Sequence, residues 1–179
     1  MAKHIMCDLE TLGTGPNAAV LSVALVVFDD EQIFAPGPEG YYGKTNKKTI
    51  TGDIDADTVM WWMEQSDDAR SELRTDSSTS PEYKVAHDVS EFLRDHSDAL
   101  LWGNGASFDN VILRSLLKRH NLEWPIKYSN DRCYRTAKAM FPQVPKPEFR
   151  GTQHNAWDDA MNQAEHLYAI LQHLRGGAA

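Results

Sequence analysis

Two carboxylates stand two residues apart in Cys7-Asp8-Leu9-Glu10-Thr11, directly after the β-like, apolar-leaning stretch Ala2 to Met6. In an extended chain the side-chain period is two, so Asp8 and Glu10 point to the same side. Side by side, two like charges disfavour each other. A hard divalent cation such as Mg²⁺ or Mn²⁺, which takes carboxylate oxygen, would relieve that repulsion. Further candidate ligands lie far along the chain: Asp109 after an apolar run, and His154, Asp158 and Asp159 at the start of the last helical pattern. Each has a bland alternative. An Asp at a helix start is a cap, and a His after a proline-rich loop is a surface or core polar group. Together they imply four carboxylates, one of them from the Asp158-Asp159 pair, and one imidazole gathered at one end of a sheet.

The elements that must hold them are legible in outline. Lys3 to Asp8 reads as the first strand, and Thr11 to Asn17 as a glycine- and proline-bearing loop. Ala18 to Phe28, rich in Val, Leu and Ala, is a long buried strand. A turn at Asp29 to Glu31 leads to a third strand that begins at Gln32 to Phe34 and continues through Tyr41 and Tyr42. Three strands joined by short turns make an antiparallel meander. Asp57 is read as the cap of a helix carrying Trp61 and Trp62, in a segment (residues 53–76) with eight acids against two arginines. The stretch 66–80 is the candidate for mobility. Pro81 opens a helix running to about His96, with Val85, Val89, Phe92 and Leu93 on one face. Ala99 to Gly103 is a short strand. A tight turn follows, then a helix from about Ser107 to His120, with Val111, Ile112, Leu116 and Leu117 on its core side. Strand, turn, helix places polar groups at the carboxyl end of a strand, where open α/β sheets bind ligands. Ile126 to Ser129 is a candidate last strand and Asp131 to Met140 a helix. The terminal helix is expected from Gln153 to about Leu174, with Ala160, Ala164, Leu167 and Leu171 buried.

At 179 residues the chain is expected to form one domain over residues 1–175 with a flexible tail at 176–179. Ala18 to Phe28 is too short to span a bilayer, the N-terminus lacks a signal-peptide pattern, and Cys7 and Cys133 have no metal-type spacing. A cytoplasmic protein with reduced thiols is the expectation. The net charge of −8 argues against a binder that coats nucleic acid over its whole surface. It leaves room for an enzyme that holds a few phosphates through metals and a local basic patch.

Three segments, Asp8-Leu9-Glu10-Thr11, Ser107-Phe108-Asp109 with Val111-Ile112-Leu113, and His154-Asn155-Ala156-Trp157-Asp158-Asp159-Ala160, resemble the three motifs of the DEDDh 3′-5′ exonucleases. The resemblance spans residues 3 to about 172. The Trp61-Trp62 helix with Gln65 and Arg70, and the segment from Asn130 to Thr136, resemble the small stand-alone phage and bacterial members, both exonuclease VIII-like proteins and the adenylate-specific ribonuclease. The resemblance implies an α/β, ribonuclease-H-like mixed sheet, three antiparallel strands then parallel ones, flanked by helices. It implies two-metal hydrolysis of phosphodiester bonds at single-stranded DNA or RNA 3′ ends, releasing 5′-mononucleotides, with two Mg²⁺ or Mn²⁺ ions. Asp8, Glu10, Asp109 and Asp159 would hold the metals and His154 would be the general base, a task suited to a residue type that titrates near neutral pH.

Helix geometry alone pairs His154 with Asp158, about 40° apart on a helical face, rather than with Asp159, about 140° away. The family spacing, with four residues between the His and the last Asp and Ala after it, assigns the ligand to Asp159. The conflict eases if His154 lies in the loop before the helix. Thr11 and Leu12 would touch the terminal nucleotide, and Asn104, Ser107 and Phe108 would line the turn beside Asp109. Residues 127–151 hold six basic against two acidic residues and could track a nucleic-acid backbone. Trp61 and Trp62, about 100° apart on a helix, are not expected to share one role. A homodimer is compatible with the aromatic surplus of residues 44–80. Two rival readings keep the same fold: a catalytically silent binding module, and a hydrolase of short oligonucleotides. The intact carboxylate set separates the first rival, because four clustered acids are a liability that a mere binding module could shed.

Overall fold

The computed structural model describes residues 2–29, 31 and 39–176. A six-stranded sheet carries the molecule. At its centre β1 (His4–Thr11) pairs antiparallel with β2 (Val20–Phe28) and parallel with β5 (Leu100–Gly103). Every residue of β1 and β2 is buried, which is why both read as apolar runs and not as alternating strands. Outward from β2 lie β3 (Gly40–Thr45) and the two-residue β4 (Thr79–Ser80), and beyond β5 lies β6 (Asp131–Cys133). The expected mixed sheet, an antiparallel meander followed by parallel strands, is what forms.

Period two divides β1 between two cores. Ile5, Cys7 and Leu9 face α2 (Glu82–Asp95) and α3 (Asp109–Arg119), meeting Val85, Val89 and Leu93 of the first and Ile112, Leu113, Leu116 and Leu117 of the second. Met6 lies in the opposite core, under α5 (Ala156–Gly176) and Tyr134 of α4 (Tyr134–Met140). Ala156, Ala160 and Ala164 of α5 are all buried there. Small side chains at period four let the helix approach the sheet closely. Asp8 and Glu10 continue the Met6 face towards the start of α5. A bulge between Glu10 and Thr11, where Thr11 pairs with Val20, turns the chain out of the sheet just past the second carboxylate.

Several boundaries differ from the sequence expectation. Pairing with Ser22 and Val20 carries β1 to Thr11, past Asp8, and β2 starts at Val20 because Ala18 instead bridges Asp53. The expected strand start at Gln32 to Phe34 lies outside the described residues. Asp57 is not the cap of α1 (Ala56–Met63) but lies in its first turn; Asp55 holds the cap position, and its carboxylate is taken by the Thr14 N–H at 2.8 Å. Ile126 to Ser129 is not a strand. A 3-10 turn at Tyr128–Asn130 precedes β6, which occupies residues that read as helix. The Asn130 amide donates to the carbonyls of Asp98 and Ala99, and Arg114 and Asn110 hold the Asp131 carboxylate. Those partners are remote in sequence, so tertiary bonds override local propensity. Val111 is only partly buried and Leu113 takes its place in the core, while Leu171 is partly buried beside Ile170. The stretch 66–80 is tied down by a 3-10 turn at Ala69–Leu73, with Ala69 and Glu72 buried, and by β4. Gly176 ends α5, so the expected tail starts inside a helix. Among the described residues, no helix is long and apolar enough to cross a membrane.

Candidate active site

The carboxyl end of β1 and the start of α3 meet at the end of the sheet where β1 and β5 run parallel. Asp8 and Glu10 are each 8 % exposed and Asp109 is 3 % exposed. Asp109 reaches them because Gly103 ends β5: a Cβ there would come within 2.9 Å of the Asp109 Cβ and 2.7 Å of the Asn110 Oδ1. Glycine is therefore required for α3 to start this close to the strand.

The third segment delivers its groups through a broken helix start. His154 has φ +65° and lies before α5, not in it. Asn155 caps the helix, its Oδ1 accepting from the Asp158 N–H at 3.1 Å and its carbonyl from the Asp159 N–H at 2.9 Å. The His154 N–H donates to Asp159 Oδ2 at 2.7 Å, and ligand atoms of Glu10, His154 and Asp159 all lie within 4.8 Å of one another. Asp158 points elsewhere and accepts from the Thr152 N–H at 2.7 Å. It lies where a Cβ on Gly151 would clash with its carboxylate, and the φ of +95° at Gly151 also favours glycine.

Burial and mutual repulsion dominate the electrostatics. Burial, then Asp109, Glu10 and Asp159, holds the Asp8 carboxyl well above the usual range, against one hydrogen bond from Gln163. Burial, then Asp159, Glu72 and Asp109, pushes Glu10 up to about 9. Burial pushes Asp109 up to about 7, although backbone N–H groups, that of Asn104 first, draw it down. Burial also raises Asp159. Among the described residues, Asp109 Oδ2 has no hydrogen-bond partner. Four oxygen-donor acids, partly desolvated and with a free oxygen among them, suit hard divalent ions, which would remove the repulsion that protons must otherwise relieve.

Two adjoining clefts open over these groups. One, about 450 Å³, is lined by the four carboxylates, His154, Gln163, Asn104, Phe108, Trp61 and Arg135 among others. The other, about 780 Å³, is lined by Glu10, Thr11, Phe108, Trp61 and Trp62 with the start of α1. The paired tryptophans divide their roles. Trp62 is 1 % exposed and donates from Nε1 to the Thr11 carbonyl at 2.8 Å; Trp61 is 40 % exposed and stands edge-on to the His154 ring at 4.9 Å. Leu12 packs into a small core with Leu21 and Trp62, and Ser107 is exposed; neither lines these clefts.

Two residues missed in the sequence complete the site. Gln163 donates to Asp8 Oδ1 at 2.6 Å. It lies four residues past Asp159, on the same helical face, and that spacing was the signal. Glu72, 1 % exposed, accepts from Tyr42 Oη at 2.9 Å and from Asn155 Nδ2 at 2.8 Å, with Lys44 Nζ at 3.9 Å. Nothing in its irregular acidic segment announced it. It anchors the residue that follows His154. Glu72→Ala should lower the melting temperature, by about 1–3 kcal/mol in stability, because it takes a buried acceptor from the Tyr42 hydroxyl and the Asn155 amide. Glu72→Gln, which keeps an acceptor, should recover most of that loss in a thermal scan. Equal losses for the two variants would refute the anchoring role.

Residues 3–171 match the family described as the 3′-5′ exoribonuclease Rv2179c-like domain. An exodeoxyribonuclease of Enterobacteria phage T4 is 29 % identical over 129 residues, covering 62 % of this chain and 54 % of the relative. E. coli exonuclease I, solved with a dA16 oligonucleotide, superposes with a TM-score of 0.65 at 16 % identity, over 96 % of this chain and 41 % of that one. The nuclease domain of 3′hExo, a DEDDh family member bound to rAMP, gives 0.64 at 14 % identity, over 95 % and 92 %. At these identities the structures establish a shared ribonuclease-H-like fold. The chain spans about half the length of the phage relative and under half that of exonuclease I.

Proposed function

The chain belongs to the family of Rv2179c-like 3′-5′ exoribonuclease domains, and from that membership we propose that it is a 3′-5′ exonuclease removing 5′-mononucleotides from single-stranded nucleic acid. The observation that carries the reading is the meeting of Asp8, Glu10, Asp109, Asp159 and His154 in one cleft, from three segments more than 140 residues apart at their extremes. Asp8, Glu10, Asp109 and Asp159 would hold two divalent ions, Mg²⁺ or Mn²⁺. When bound, such ions supply Lewis-acid stabilisation of the charge that develops on the phosphate and leaving oxygen.

The chain's own groups do the rest. The His154 imidazole takes the proton of the attacking water. The backbone bond to Asp159 and the edge of Trp61 fix the loop and ring that carry it. Gln163 orients Asp8 through its 2.6 Å bond. Thr11 and Phe108 line the cleft beside Glu10, where the terminal sugar and base would lie, and Asn104 and Phe108 line the turn over Asp109.

The test is a gel assay with matched 5′-labelled single-stranded RNA and DNA under Mg²⁺ and under Mn²⁺. A ladder shortening from the 3′ end is expected, and the faster substrate names the sugar. His154→Ala should slow it by about 10²–10⁴-fold. No ladder on either strand with both metals would refute the exonuclease reading and favour a silent binding module.

A further inference from the structure

The cleft continues past the carboxylates on the side away from α1. A third concavity, about 300 Å³, is lined by Tyr134, Lys138, Lys146, Pro147 and Phe149 together with Asn104, Asp159 and Gln163. It shares those last three residues with the carboxylate cleft, which in turn shares Leu9, Glu10, Trp61 and Phe108 with the large cleft beside α1. The two outer concavities have no lining residue in common. The three therefore lie in sequence, with the carboxylates in the middle.

The outer two differ in charge. The cleft beside α1 is lined by the carboxylates Glu10, Asp55 and Asp57 and by no lysine or arginine. The other holds Lys138 and Lys146, with Arg135 at its junction with the carboxylates. Lys138 Nζ bonds Asn104 Oδ1 at 3.0 Å and sits 4.9 Å over the Tyr134 ring, and Arg135 donates to the Asn104 carbonyl at 2.6 Å. Both cations are thus pinned to the turn that precedes Asp109. Among the described residues, none of the three forms an ion pair. Burial, then the charges of Lys146 and Arg135, lowers the proton affinity of Lys138. In a chain of net charge −8, this is a local concentration of positive charge, with Asp159 in its lining and Arg135 acting on Asp109 at its inner end.

Removal of one nucleotide from a 3′ end makes unequal demands on the two sides of the scissile bond. The departing nucleotide ends in a hydroxyl and carries no phosphate beyond the one under attack. The strand left behind carries a phosphate on each further nucleotide. An acidic, cation-free wall repels phosphate and accepts a nucleoside; a cationic wall does the reverse. We infer that Lys138 and Lys146, with Arg135, form a binding site for the phosphate on the 5′ side of the penultimate nucleotide. The strand then crosses the carboxylates from α4 and places its 3′ end beside α1. This rests on the exonuclease reading for its scissile bond and for the place of the 3′ end, and goes beyond it in assigning a phosphate subsite to the strand that remains.

Dinucleotides with and without a 5′-phosphate isolate that one group. The wild-type chain should cleave the phosphorylated form with kcat/KM on the order of 10-fold higher, the range of a charge-assisted contact. In the double variant Lys138→Met/Lys146→Met the ratio should fall close to one. General damage to the site would lower both rates and leave the ratio intact. A wild-type ratio near one, or a variant that keeps the wild-type ratio, would overturn the subsite. A second measurement needs no turnover: binding of a fluorescent single strand in Ca²⁺ across a salt series. The double variant should lose about 0.7 in slope of log affinity against log salt for each phosphate contact removed, and an unchanged slope overturns the proposal. Lysine-dependent binding with no cleavage of the dinucleotides and no 3′ shortening of the long single strands would refute the exonuclease reading while leaving the phosphate site standing.

Discussion

Asp8→Asn is expected to abolish nucleotide release and, in the same molecule, to raise the melting temperature of the metal-free protein. Asp8 stands at the centre of the cluster, where Asp109, Glu10 and Asp159 all raise its proton affinity. Asparagine keeps the shape and keeps an oxygen to accept from Gln163 Nε2, but it removes the charge that would face a divalent ion. Loss of a preorganised electrostatic contact at the reacting centre costs roughly a thousandfold in rate. Without metal the same charge only repels its neighbours. Removing it should relieve that repulsion and raise the melting temperature, by about 2–4 °C for each kcal/mol gained in a chain of this size. A mononucleotide-release assay and a thermal scan in EDTA read the two effects. A variant that loses activity and also melts lower in EDTA would mean that Asp8 is a structural support and not a strained ligand.

The metal-free protein is also expected to lose stability as pH rises, with divalent ions abolishing the trend. Glu10 goes from an ordinary value of 4.5 to about 9 in the fold, and Asp109 from 3.8 to about 7. A raised folded value means that the native state binds its proton more tightly than the unfolded chain does. The resulting stability is fully present below the unfolded values near pH 4. It drains away up to the folded values, near pH 7 for Asp109 and pH 9 for Glu10. Each unit of difference is about 1.4 kcal/mol for one group, so the cluster's combined contribution is on the order of several kcal/mol. Bound Mg²⁺ or Mn²⁺ replaces the protons and stabilises the native state by mass action, flattening the profile. Thermal scans from pH 5 to pH 9 in EDTA and in excess Mn²⁺ read this directly, within roughly these limits. A metal-free melting temperature that rises across that range would contradict a buried like-charge cluster.

Much of the candidate site was legible before any fold was known. Asp8 and Glu10 declare themselves by period two on a strand, and Asp109 by its place after a strand and a tight turn. Asp159 was harder. Helical geometry favoured Asp158, and only the family spacing pointed the other way. The positive φ of His154 removes the conflict by taking His154 out of the helix. A wheel drawn through residues 154–159 assumes a continuity that the backbone does not have. Gln163 was within reach of the same wheel drawn from Asp159. Glu72 was not, because its partners Tyr42 and Asn155 are 30 and 83 residues away, and no local pattern encodes such a bond. The misread of β6 has the same origin, since its hydrogen bonds come from β5 and from side chains of α3.

What the sequence by itself determined was direction within each element: which side chains share a face, which segments are apolar enough to be buried, and which chemistry the donors allow. These follow from short-range geometry, the 2.0 and 3.6 residue periods. The tertiary structure alone decided how strongly the donors act. Bringing β1, α3 and the start of α5 together at one end of the sheet desolvates the acids and sets them against one another, and it is that dielectric and that proximity which lift Glu10 to about 9. It also set cations on one side of the cluster and acids on the other, an asymmetry spread over segments that no window of sequence contains.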